Sequence, residues 1–187
     1  MRTVIAIVAT IVVCCAAGCT QTSSAPPPTN PSASTAPSPA VVPPGTTSLD
    51  CSDPIDIVPS PTTPRSSTLD VVGLDTVSTL QVSNTGGTDP HQLFAKTGLL
   101  VHAGRASTVT VPADWATHVS IAWGNHAAEW TTSLHIPACP EPPSGSGQWL
   151  AFPGGFSVDR ATCVPLEVHA GTKTTTIHIS VGARCRG

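Results

Sequence analysis

The sequence predicts an all-β domain: a disulfide-stabilised β-sandwich, immunoglobulin-like, behind a disordered N-terminal tether. Three observations carry this expectation. Runs rich in Val, Thr and Ile alternate with Gly, Pro, Asn and Asp at a spacing of roughly 10 residues, the pattern of a sandwich or barrel. No run beyond the N-terminus keeps the apolar period of an amphipathic helix, and "DPHQLFAKT" has room for a single helical turn. Four cysteines, Cys51, Cys139, Cys163 and Cys185, are spread through the same region.

The first element is a leader over residues 1–18. Arg2 supplies a positive end, residues 3–13 are uncharged and mostly Val, Ile and Ala, and small residues precede Cys19. This is the layout of a secretory signal. Its apolar run falls short of the about 20 residues that a membrane span needs. Ala16, Ala17, Gly18 and Cys19 resemble the lipobox of bacterial lipoproteins, with Ala where Leu is commoner at the first position. The resemblance implies a diacylglyceryl thioether on Cys19 and cleavage just before it. Cys14 and Cys15 would leave with the leader. Two or three acyl chains anchor stably where one would not.

The second element is a linker over residues 19–49. "SSAPPPTNPSASTAPSPAVVPP" cannot bury enough apolar surface to offset its chain entropy. Proline keeps such a chain extended, at about 3.1 Å per residue in polyproline-like stretches. The same composition occurs in O-glycosylated stalks.

The third element is the extracytoplasmic domain over residues 50–187. Candidate strands cover residues 69–74, 77–82, 93–102, 107–111, 118–123, 132–136, 149–158, 164–169 and 174–181. The last two form a hairpin whose register can be derived. With Gly171 and Thr172 as the loop, Val168 faces Thr175, Leu166 faces Ile177 and Val164 faces Ile179. Apolar side chains then meet at alternate positions, while Glu167, His169, Thr174, Thr176 and His178 share the other face. An even number of cysteines in an exported domain reads as two disulfides with three connectivities. The preferred pairing is Cys139–Cys163, closing the loop between them, with Cys51–Cys185 tying the ends together.

Composition excludes some partners. The chain of 187 residues carries 8 basic and 11 acidic side chains, a net charge of −3. It therefore lacks the basic surface that nucleic acid binding requires. No metal or cofactor is implied. The seven histidines match no metal-binding spacing, and the cysteines are too dispersed for zinc. Asp50, Asp53 and Asp56 lack the pattern of a calcium loop. No Gly-x-Ser-x-Gly elbow is present, and nothing in the sequence brings Glu129 and Glu167 together as a glycosidase pair. The candidate binding residues are Trp130, as an exposed aromatic platform, and His169 with His178 on the outer face of the last hairpin. Trp123 reads as core. "FPGGF" reads as a bulge or a close backbone approach.

"LFAKTGLLV", "IAWGN", "IPACP", "WLAFPGGFSV", "CVPLEV" and "SVGARC" resemble a group of actinobacterial secreted proteins and lipoproteins of uncharacterised function. The resemblance covers most of residues 92–185. It implies a compact extracytoplasmic domain and supplies no catalytic residues.

These observations lead to a lipid-anchored module on the extracytoplasmic face of the cell membrane. It is expected to be non-enzymatic and to bind an envelope protein or a cell-wall glycan. The alternatives are a small envelope hydrolase, which needs a nucleophile or acid pair assembled from distant strands, and a carrier with a hollow for a small apolar ligand.

Overall fold

A computed structural model of the protein describes residues 46–125, 128–143, 145 and 147–186. The leader, Cys19 and nearly all of the linker lie outside the described residues. The described part is all-β. Its strands are β1 (Thr47–Ser48), β2 (Asp56–Val58), β3 (Arg65–Thr68), β4 (Val72–Asp75), β5 (Thr79–Leu80), β6 (Ser83–Asn84), β7 (Leu93–Lys96), β8 (Leu99–His102), β9 (Ser107–Thr110), β10 (Val119–Trp123), β11 (Ser133–Ile136), β12 (Trp149–Phe152), β13 (Gly154–Val158), β14 (Thr162–Ala170) and β15 (Lys173–Val181). The one helical element among the described residues is a 3-10 turn at Ala113–Trp115. No helix among them is long and apolar enough to cross a membrane.

The strands form three sheets. One has six strands in the order β1-β11-β9-β14-β15-β5, one has four in the order β10-β13-β7-β6, and one has five in the order β2-β12-β8-β4-β3. All three contribute to one apolar core, giving a sandwich-like packing. Val109, Leu134 and Leu166 enter it from the six-stranded sheet, Ile121 and Phe156 from the four-stranded sheet, and Val101 and Phe152 from the five-stranded sheet. Each of these side chains is buried from water, which is the main favourable term in folding.

The C-terminal hairpin has the derived register. Val168 pairs with Thr175, Leu166 with Ile177 and Val164 with Ile179. Gly171 takes the turn with φ of 57°, a conformation open to glycine at little cost.

Two runs that read as single strands are each divided. Residues 93–102 become β7 and β8, and residues 149–158 become β12 and β13, with the halves in different sheets. Both chains leave one sheet for the other at the same corner. There the Thr97 amide donates to the Gly154 carbonyl at 2.9 Å, and the Trp123 indole N–H donates to the Thr97 carbonyl at 3.1 Å. Pro153 sits at the break and has no N–H to continue a ladder. The two glycines after it allow close approach. A Cβ on Gly154 would collide with the Ala122 carbonyl oxygen, and one on Gly155 with that of Ala95.

Other boundaries also move. Leu69 and Asp70 adopt positive φ values of 51° and 56°, and the Val71 amide donates to the Thr68 carbonyl at 3.1 Å. They form the tight turn of a hairpin, so β4 begins only at Val72. The domain starts earlier than residue 50: Thr47 and Ser48 pair with β11 and Leu49 is buried. The short strands β1, β3 and β6 carry polar residues without apolar alternation, which is why no strand was expected there.

The disulfide pairing differs from the expected one. Cys51 is bonded to Cys139 and Cys163 to Cys185, with Cα separations of 5.5 and 4.8 Å. Strand pairing explains both. Parallel β1 and β11 set Thr47 beside Leu134 and Ser48 beside His135. The chains leaving these strands run on together and bring Cys51 to Cys139. On the final hairpin Cys163 faces Ser180. The tail folds back there, and the Cys185 amide donates to Ser180 Oγ at 2.9 Å.

Candidate functional site

The four-stranded sheet carries a polar cluster of His91, His118, Ser120, Ser157 and Asp159. Along β10, Val119, Ile121 and Trp123 enter the core, so strand alternation turns His118 and Ser120 to the other face. Along β13, Phe156 and Val158 enter the core, so Ser157 and Asp159 point the other way. The antiparallel register places Ser120 opposite Ser157. One step further, the Asp159 amide donates to the His118 carbonyl at 3.2 Å. His118 and Asp159 are therefore cross-strand neighbours.

His91 arrives from the segment that leads into β7. Its amide donates to Ser157 Oγ at 3.0 Å, and its carbonyl accepts from Thr85 Oγ1 at 3.2 Å. Ser157 is fully buried. These bonds lay the imidazole across the sheet. Its Nε2 lies 3.2 Å from Ser120 Oγ, and its Nδ1 lies 2.8 Å from Asp159 Oδ1. The second carboxylate oxygen, Oδ2, is 2.7 Å from His118 Nδ1.

One carboxylate thus serves two imidazoles. The hydrogen bond from His118 holds the Asp159 carboxyl below its ordinary value of 3.8; His91 adds to this through charge and a hydrogen bond, while partial burial opposes it. A small concavity beside the cluster is lined by Asp114, Trp115, His118, Asp159, Arg160 and Thr162.

A second cluster lies at the turn between β3 and β4. His102 stacks on Trp149, with ring centroids 4.7 Å apart. Its Nδ1 donates to the Asp70 carbonyl at 2.9 Å, and Arg105 reaches the Asp70 carboxylate at 3.2 Å. These contacts hold Leu69 and Asp70 in their left-handed conformations, a structural task.

The residues singled out in the sequence do not gather. Trp130 is half-buried and makes a T-shaped contact with Phe94, with centroids 6.0 Å apart. His169 and His178 share the outer face of the hairpin but do not meet. His169 faces Thr174, whereas His178 faces Pro165, four residues further along β14. His169 instead bonds to Thr174 Oγ1 at 2.9 Å and approaches Glu167 at 3.5 Å. Trp123 is core, as expected. Among the described residues, no three His, Cys, Asp or Glu side chains are placed to hold a metal ion.

His91, His118, Ser120 and Asp159 are not among the binding candidates that the sequence singles out. One signal was present. Aligning "VSIAW" against "GGFSV" as an antiparallel pair, with core residues facing core residues, sets His118 opposite Asp159. No protein family, curated protein or solved structure matches the chain.

Proposed function

We propose that this chain is an envelope lipoprotein, anchored through an acylated Cys19 and holding its folded domain off the extracytoplasmic face of the membrane on the Pro/Ser/Thr-rich linker. The domain, which we read as an immunoglobulin-like sandwich, presents its surface to an envelope protein. The observation that carries this reading is the division of the cysteines. Cys51, Cys139, Cys163 and Cys185 are all paired, as suits an oxidising compartment outside the cytoplasm. Cys19 stands apart behind the small residues of a leader.

The surface suited to a protein partner is the edge strand β2. It ends the five-stranded sheet and pairs on one side with β12. Ile57 within it and Ile55 just before it are among the few large apolar side chains exposed to water among the described residues, at 41% and 57%. An extended segment of a partner can add to such an edge through main-chain hydrogen bonds, with the isoleucines giving apolar contact.

The test is a photocrosslinking amino acid at position 57 in the full chain, compared with the same substitution in a Cys19→Ala background. The reading expects one dominant protein adduct in the envelope that depends on the anchor. If no adduct forms, or if the adducts are the same without the anchor, the reading fails.

A further inference from the structure

We infer that Ser120 is a nucleophile, with His91 as its general base and Asp159 as the residue that positions His91, and that together they cleave a short carboxylic ester. The inference is independent of the anchor and of the β2 edge. It rests on three side chains that meet from distant parts of the chain.

The order of atoms is that of an activated serine. Ser120 Oγ lies 3.2 Å from His91 Nε2, and His91 Nδ1 lies 2.8 Å from Asp159 Oδ1. An ionised carboxylate can only accept. The proton between Asp159 and His91 therefore sits on Nδ1, and this tautomer leaves Nε2 with its lone pair toward Ser120. A base oriented in this way by a third group is what turns a serine hydroxyl into a nucleophile.

The base is also held in place. Ser157 and Thr85 fix the backbone of His91, and its side chain is only 11% exposed. His118 takes the other oxygen of Asp159 and so fixes the carboxylate. It is a second positioning residue. Ser120 is only 9% exposed, so a substrate must reach its hydroxyl past neighbouring side chains, which a small acyl group does at least steric cost.

The chemistry balances without a cofactor. Ser120 Oγ forms a bond to the ester carbonyl carbon as its proton passes to His91 Nε2. The carbon–oxygen bond to the leaving alcohol then breaks, and that alcohol takes the proton from His91. Water attacks the acyl-serine, gives its proton to His91, and the acyl group leaves as a carboxylic acid while Ser120 regains its proton. Asp159 stays ionised throughout and offsets the charge of the transient imidazolium.

The test uses the detergent-solubilised full chain and a fluorophosphonate probe, which forms an Oγ–P bond with loss of fluoride. The labelled residue is read by peptide mass. The same protein is assayed with p-nitrophenyl acetate, and the variants are Ser120→Ala, His91→Gln and Asp159→Asn, each checked for folding by its melting curve. The inference expects label on Ser120 and on no other serine. It expects the rate to fall by about 100-fold or more in the folded His91→Gln and Asp159→Asn forms, with partial rescue by Asp159→Glu. A folded protein with no label on Ser120 overturns the inference. So does label on Ser120 at a rate that His91→Gln and Asp159→Asn leave unchanged.

Discussion

His118 stands directly across the β10–β13 ladder from Asp159, with its Nδ1 2.7 Å from Asp159 Oδ2. The same carboxylate receives His91 from the loop before β7. Asp159 therefore ties that loop to the sheet, and its stabilising effect depends on pH. A carboxyl whose folded pKa is depressed stabilises the fold above its unfolded pKa and loses that contribution as pH falls through the folded value. The wild type should melt above Asp159→Asn at neutral pH, and the gap should close as pH falls below about 3.8, the ordinary value for the group. A gap that stays constant from pH 7 to pH 2.5 would show that the carboxylate charge contributes nothing.

The two disulfides should contribute unequally. Cys51–Cys139 spans 88 residues and Cys163–Cys185 spans 22. Loop-closure entropy then assigns about 4.5 kcal/mol to the first and about 3.5 kcal/mol to the second. Replacing each pair by alanines should lower stability in that order, as measured by denaturant titration. Non-reducing digestion should recover the peptides joined in these two pairs. Recovery of Cys139 linked to Cys163 would contradict the fold.

Gly155 should tolerate no side chain. A Cβ there would meet the Ala95 carbonyl oxygen of β7, a backbone atom that cannot swing aside. Gly155→Ala should cost about 3 kcal/mol or more, as overpacking does where nothing yields. A variant that melts with the wild type would mean that β7 and β13 are further apart than described.

Ser107 offers a change in the opposite direction. Its Oγ is buried without a hydrogen-bond partner among the described residues. Removing an unsatisfied buried hydroxyl removes a desolvation cost of about 1 kcal/mol or more. Ser107→Ala should leave stability unchanged or raise it, and a loss above about 1 kcal/mol would point to a partner for the hydroxyl.

The parts of the fold legible in the sequence are those fixed locally. The β14–β15 register follows from a two-residue loop and alternating apolar positions, so it can be derived from 20 adjacent residues and agrees with the structure. The division of residues 93–102 and 149–158 was not legible. Each run reads as one mostly apolar stretch, "FPGGF" suggests a bulge but not a change of sheet, and the corner where both segments change sheets is set by contacts between Thr97, Trp123 and Gly154. The pairing of Cys51 with Cys139 depends on the parallel match of β1 with β11, and "TS" carries no apolar pattern to announce it. The Ser120 cluster was hidden for the same reason. Its members at positions 91, 118, 120 and 159 lie in segments whose adjacency is long-range, and His91 sits in a polar loop with no periodicity of its own.

The central claim is that Cys19 carries the anchor. The most direct measurement is the mass of the N-terminal peptide of the mature protein, recovered from the membrane fraction of the cells that make it. The account predicts a chain that begins at Cys19, bears a diacylglyceryl thioether, and is absent from membranes when Cys19 is replaced by alanine. A mature chain that begins elsewhere, or a Cys19 that carries no lipid, would contradict it.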